Sequence, residues 1–259
     1  MMKKTLLEKT ADKLVNAFVK NKIITPLPSK FTKKLSEAQK LRKLCESKVK
    51  DSIIGFKAAG TGIPVMKKLK EKKPFYASIF KKNFIKSGKK VKINKSTLGI
   101  ELEVCYLIKK NFFSSKGSIT MKNVTKHISH MATCIEVIGY RQKKKGITSF
   151  GDLCSDFGAN VKFLIGQKKK YKRINIGNLK TNIANKKIGQ SVDGNTSTVY
   201  INPLNSLRFV LNELKKDKVN LDKDFYVFTG STVGVVPILG KGLYTGKVAQ
   251  VGSAKAIIH

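Results

Sequence analysis

Two glutamates, Glu101 and Glu103, stand at the head of the apolar run from Ile100 to Ile108. A run of this kind buries itself while carrying two carboxylates if it is extended. In a strand, residues two apart point to the same face, so both carboxylates project together while Leu102 packs behind them. Two like charges a few ångströms apart are costly unless protons or a cation compensate them. A lone Glu-x-Glu pair is more often a wet strand edge, but the chain holds only 16 acidic residues. A third carboxylate strengthens the signal. Glu136 lies in Cys134-Ile135-Glu136-Val137-Ile138, flanked on each side by two apolar residues. Three carboxylates with open positions suit Mg2+ or Mn2+, hard ions that keep waters a substrate can displace.

The rest of the chain frames that pattern. Apolar positions over Thr5 to Lys20 have the spacing of an amphipathic helix, and Pro26 and Pro28 mark a loop after it. Ser36 to Val49 reads as a second helix, with Ser36 and Gln39 at the spacing of a capping box. From Ile53 onward, short apolar runs separated by Gly, Asn and Lys predict strands. The clearest are Ile53 to Phe56, Val91 to Ile93, Ile100 to Ile108, Ile174 to Ile176, Val199 to Ile201 and Phe225 to Thr229. Two inserted helices are expected, over Thr120 to Cys134 and over Pro203 to Lys215, the latter with proline in its first turn. Gly230 to Ile258 alternates glycine with apolar residues and should form short strands with tight turns. The expected class is α+β, strand-rich, with helices in front. An N-terminal helical segment of residues 1–50 would precede a catalytic domain of residues 51–259.

Composition narrows the partners. The formal charge is +37, which suggests nucleic acid, yet the chain has four arginines against 49 lysines. Arginine is the residue that reads phosphates and guanines bidentately. The lysines are spread along the chain rather than gathered in a tail, so a nucleic-acid partner is not favoured. The positive field still draws anionic substrates. Cys45, Cys105, Cys134 and Cys154 never form a Cys-x-x-Cys pair, and three lie in apolar runs. They read as small hydrophobes, not as zinc ligands or disulfides. Apolar runs are too short for a bilayer span, and charges at Glu8, Lys9, Asp12 and Lys13 interrupt any signal-peptide core. The expectation is a cytoplasmic protein with no membrane partner.

Seven segments in register resemble the 2-oxopent-4-enoate hydratase and 4-oxalocrotonate decarboxylase branch of the fumarylacetoacetase-related superfamily. Ile54-Gly55-Phe56-Lys57-Ala58-Ala59-Gly60-Thr61 is similar to the family's G-x-K-x-G segment, with Ala59 interposed. Pro74-Phe75-Tyr76-Ala77-Ser78-Ile79-Phe80 is similar to P-x-[FY]-G-x-[LI]-F, and Gly99-Ile100-Glu101-Leu102-Glu103-Val104 to G-[IV]-E-x-E-[IV]. Ile135-Glu136-Val137-Ile138, closed by Arg141, resembles [IL]-E-[IV]-[IV]-x-x-R. Asn202-Pro203-Leu204-Asn205-Ser206, Phe228-Thr229-Gly230-Ser231-Thr232-Val233-Gly234 and Val251-Gly252-Ser253 complete the series.

The resemblance implies a mixed β-roll like the fumarylacetoacetase C-terminal domain, a homo-oligomer, and a 2-oxo acid substrate. It implies Glu101, Glu103 and Glu136 as ligands of Mg2+ or Mn2+ and Lys57 as the group that shuttles a proton or orients water. The small apolar neighbours of Lys57 predict a pKa lowered by desolvation. Ser231, Thr61 and Asp156 would contact substrate. The implied reaction is hydration of a 2-hydroxypenta-2,4-dienoate; decarboxylation of a 4-oxalocrotonate-like diacid or acylpyruvate C–C hydrolysis are its neighbours. Two departures bear on it. Phe75 stands where hydratases carry an aspartate, and Gly139 where the family often has another. His127 and His130, three apart on the expected helix, lack acidic or cysteine partners and are taken as structural. The reading from another class is a basic nucleic-acid-binding protein that has lost catalysis, but such a descendant has no reason to keep three mutually repelling glutamates.

Overall fold

The computed structural model describes residues 4–143 and 146–259. Three helices open the chain: α1 (Leu6–Lys20), α2 (Lys30–Lys33) and α3 (Leu35–Lys48). A capping box starts α1: the Thr5 hydroxyl accepts from the Glu8 amide, and the Glu8 carboxylate accepts from the Thr5 amide at 2.8 Å. The expected Ser36 box does not form. Helix α3 begins a residue earlier, so Ser36 falls inside it, and its first turn has no side-chain cap. Buried Ala11, Leu14 and Phe18 of α1 and Leu41 and Cys45 of α3 share one apolar cluster with Phe80 and Phe157.

Strands and short helices then alternate: β1 (Ile53–Ala59), α4 (Ile63–Lys68), β2 (Phe75–Phe80), β3 (Phe84–Lys86), β4 (Lys90–Val91), β5 (Thr97–Ile108), β6 (Ile128–Gly139), α5 (Phe150–Ser155), β7 (Asn160–Ile165), β8 (Lys169–Lys170), β9 (Lys180–Asn185), β10 (Gln190–Asn195), α6 (Pro203–Lys216), β11 (Phe225–Ser231), β12 (Gly242–Val248) and β13 (Gly252–Ile258). Among the described residues they form two mixed sheets. The larger runs β2-β1-β11-β5-β6-β7-β3, with β8 paired to β6; the smaller runs β10-β9-β12-β13-β4. A single large core joins them, with Leu102, Ile135 and Val137 of the first sheet packed in the same cluster as Tyr244, Val248, Ala254 and Ala256 of the second. Burial of this continuous apolar surface is the main driving force for the fold. The strand-rich α+β expectation holds.

Several local expectations are corrected. Residues 120–134 are not a helix. A 3-10 turn at Val124–His127 leads directly into β6 at Ile128. The apolar spacing there arises because β6 is a central strand, paired with β5 and β7 and buried from Met131 to Gly139. Both faces must therefore be apolar, which hides the period of two. His127 and His130 consequently do not share a helix face: His127 closes the turn against Phe112, and His130 pairs across the ladder with Lys170. Ile174 to Ile176 and Val199 to Ile201 are not strands either. Ile176 begins a 3-10 turn. Tyr200 and Ile201 both have positive φ, 36° and 76°, as the chain swings into the Asn202 cap of α6. The strand at Val91 is only two residues long. All four cysteines are free and buried, and among the described residues no helix is long and apolar enough to cross a membrane.

Candidate metal centre

Strand alternation does what the sequence predicted for β5. Leu102 and Val104 enter the main core, while Glu101, Glu103 and Cys105 face the other way. Glu136 on β6 is directly opposite Glu101 in the antiparallel ladder, and Glu103 is opposite Cys134. A carboxylate oxygen from each of Glu101, Glu103 and Glu136 comes within 4.8 Å of the others. Among the described residues this is the one group of three potential ligands so gathered. Glu103 and Glu136 are fully buried, and Glu101 is partly open.

Like charges opposed across a ladder are destabilising, and these are held by two further elements. Strand β1 places Lys57 on the same side, its Nζ donating to Glu136 Oε1 at 2.6 Å and to the Gly158 carbonyl at 3.0 Å. The Gly230 amide, at the irregularity near the end of β11, donates to Glu103 Oε2 at 2.9 Å. Gly230 has φ of 106°, and a Cβ there would lie 1.9 Å from Thr61 Oγ1, so only glycine supplies this amide. Among the described residues, Glu103 Oε1 and Glu136 Oε2 are buried with no hydrogen-bond partner. An orphaned buried acceptor costs about 1–3 kcal/mol. Hard oxygen donors of this kind fit a divalent cation of the Mg2+ class.

The electrostatics agree. Burial pushes Glu101 up to about 7, against the pull of Lys57 and with a further push from Glu103. Burial also raises Glu103 and, further, Glu136. Lys57 departs from expectation. Burial does oppose its charge, but Glu136, Glu101 and Glu103 outweigh it, and the net shift is upward. The folded Glu101 carboxyl holds a proton that the unfolded chain has released between about 4.5 and about 7. By linkage, this contribution to stability is complete below the unfolded value and is lost as pH rises through the folded one. The metal-free protein should therefore melt lower at pH 8 than at pH 5.5, and Mg2+ should restore the difference. Thermal melts in EDTA and in Mg2+ check both; a metal-free protein more stable at pH 8 contradicts the account.

The cluster opens into a cavity of about 600 Å³ lined by Lys57, Thr61, Glu101 and Ser231. Thr61 and Ser231 line that cavity, and the Ser231 hydroxyl donates to the Gly234 carbonyl at 2.8 Å. Asp156 instead is fully buried and does not line the cavity. Its carboxylate accepts from the Arg141 amide at 2.6 Å and from Arg141 Nη1 at 2.7 Å. Its place is behind the site: the turn that follows, Phe157-Gly158-Ala159, has three consecutive positive φ values and presents the Gly158 carbonyl to Lys57. Phe18 of α1 stacks on Phe157 at 4.1 Å and lies under the Arg141 guanidinium at 4.8 Å. Phe75 is buried edge-on to Phe150, outside the cavity. Gly139 has no room for a side chain, since a Cβ would meet Val161 at 2.7 Å and the Ser96 carbonyl at 2.8 Å. Sequence reasoning missed the Gly158 carbonyl and the Gly230 amide, because backbone groups leave no residue-type signal.

No protein-family model matches the chain, and no curated protein matches its sequence. Solved structures do. The 4-oxalocrotonate decarboxylase from Pseudomonas putida G7, complexed with magnesium and adipate, is 18% identical, with a TM-score of 0.86 over 100% of this chain and 99% of that one. The 5-carboxymethyl-2-hydroxymuconate delta-isomerase from Mycobacterium smegmatis is 12% identical, with a TM-score of 0.54 over 80% of each chain. The 2-hydroxyhepta-2,4-diene-1,7-dioate isomerase from Mycobacterium marinum is 12% identical, with a TM-score of 0.53 over 80% of this chain and 76% of that one. At these identities the likeness is one of fold.

Proposed function

We propose that this chain, which has the fold of the fumarylacetoacetase-related superfamily, is a divalent-metal-dependent lyase acting on a 2-oxo or 2-hydroxydienoic acid. The observation that carries this reading is the convergence of three carboxylates on one side of a buried lysine, two of them with unpartnered buried oxygens. The fold neighbour from Pseudomonas putida G7 was solved with magnesium and adipate and also with calcium and acetate, which supports a hard cation and a carboxylic acid here. Glu101, Glu103 and Glu136 would hold Mg2+ or Mn2+. A cation there would bind the acid's carboxylate and 2-oxygen and offset the negative charge that develops on that oxygen.

The chain's own groups divide the remaining work. Lys57 spends two of its three N–H donors on Glu136 and Gly158 and so keeps one for the cavity. Its raised pKa keeps it charged at rest, suited to donate a proton or hydrogen bond toward substrate. Thr61 and Ser231 would orient substrate oxygens, and Asp156 would act through Arg141 and the 157–159 turn without touching substrate.

Hydration of a 2-hydroxypenta-2,4-dienoate is the reaction proposed. Decarboxylation of a 4-oxalocrotonate-like diacid is a second reading, favoured by Phe75: a phenylalanine sealed against Phe150 transfers no proton, and decarboxylation needs less help from a second acid. Ultraviolet assays of 2-hydroxypenta-2,4-dienoate, 4-oxalocrotonate and an acylpyruvate, each with and without Mg2+, separate these. Metal-dependent loss of the dienoate chromophore is expected; no metal-dependent loss with any of the three would sink the proposal.

A further inference from the structure

The cavity beside the carboxylates is much larger than a five-carbon acid requires. Its volume of about 600 Å³ sits within the range of roughly 300–1,000 Å³ that holds drug-sized ligands. Its far walls are apolar: Leu98, Ile138, Ile147, Leu153, Val233 and Val235. Val65, Leu98 and Val235 also line it while remaining 45%, 39% and 52% exposed. Large apolar side chains left open around a concave site mark a surface that a ligand covers.

The charges tell against a diacid. The chain has 53 basic residues, yet among the described residues only Lys57 and Lys68 line the cavity. Lys57 stands beside the carboxylates, donating to Glu136 and the Gly158 carbonyl, so its remaining donor serves the head of a substrate and not its tail. Lys68 is exposed on α4, and Asp193 on the cavity wall carries the opposite charge. A second carboxylate on the substrate's tail would leave water for apolar walls with no buried cation to meet it, a costly transfer.

We infer that the preferred substrate is an extended homologue of the dienoate, a 2-oxo acid with one carboxylate and an apolar tail lying against the Leu98–Val235 wall. The inference rests on the metal-lyase reading for the head of the substrate but makes its own claim about the tail. Each methylene buried along that wall should tighten binding about fourfold.

Calorimetry on the full chain in Mg2+ tests it with two shape-matched acids, 6-methyl-2-oxoheptanoate and 2-oxohexanedioate. The branched apolar acid is expected to bind at least about tenfold tighter, and Val235→Arg should shrink that ratio by bringing a cation to the wall. Equal or tighter binding of the diacid overturns the inference. If that preference for the diacid is lost in Lys68→Ala, Lys68 is the partner of a distal carboxylate. Failure of the apolar acid to bind at millimolar concentration overturns it as well. The metal reading fails separately: an affinity for the apolar acid that is unchanged in EDTA removes the cation from the binding step, while a persisting preference over the diacid leaves the apolar-tail inference standing.

Discussion

Glu103→Gln should make the metal-free protein more stable and the metal-supplemented one far slower. The amide keeps an acceptor oxygen for the Gly230 N–H, so the end of β11 is preserved. One of three opposed charges disappears, and relief of that repulsion is expected to raise the metal-free melting temperature at pH 8 by roughly 2–4 °C, equivalent to about 1 kcal/mol. Loss of an anionic ligand should weaken Mg2+ binding on the order of a hundredfold or more, beyond the range seen for outer-sphere partners. Turnover should fall about 10²–10⁴-fold, the equivalent of several kcal/mol of lost charge stabilisation. Calorimetric Mg2+ titration and paired melts read these together. Unchanged Mg2+ affinity would dissolve the carboxylate assignment, whatever happened to activity.

Lys57→Met separates proton handling from metal binding. The apolar chain fills much the same space, but Glu136 loses its 2.6 Å partner in a fully buried position. Breaking such a pair costs about 3–5 kcal/mol, so the metal-free variant should melt several degrees lower. Added Mg2+ should recover much of this loss, because a cation answers the same carboxylates. Turnover at saturating Mg2+ should still drop about 10²–10⁴-fold, as when a positioned acid–base group is removed. A variant within about fivefold of the parent rate at saturating metal would exclude Lys57 from the chemistry.

The two glutamates of β5 were legible because alternation in a half-polar strand is unambiguous: a carboxylate, a leucine and a carboxylate fix which side is which. Glu136 was legible for the opposite reason, as a single charge in an otherwise apolar strand. The elements misread share one cause, tertiary surroundings that override local pattern. Strand β6 is apolar on both faces and so carries the spacing of a helix as readily as that of a strand. Tyr200 and Ile201 have the composition of a strand but are bent into left-handed φ by the entry to α6. The sign of the Lys57 shift turned on three carboxylates that come from distant parts of the chain, and no window around Lys57 contains them. Asp156 fell in the family's segment, but its partner Arg141 takes both of its oxygens.

The stacking of Phe18 on Phe157 carries a consequence for where the chain can be cut. A polypeptide starting at β1 would retain each glutamate of the cluster, Lys57 and the cavity wall. It would lack the ring on which the 157–159 turn is seated, and with it the platform beneath Arg141 and Asp156. Gly158 would then be free to withdraw its carbonyl from the lysine. The first helix lines no part of the cavity, yet it is the backstop of the carbonyl that holds Lys57, so truncation there should disturb the aim of the lysine before it disturbs the carboxylate cluster.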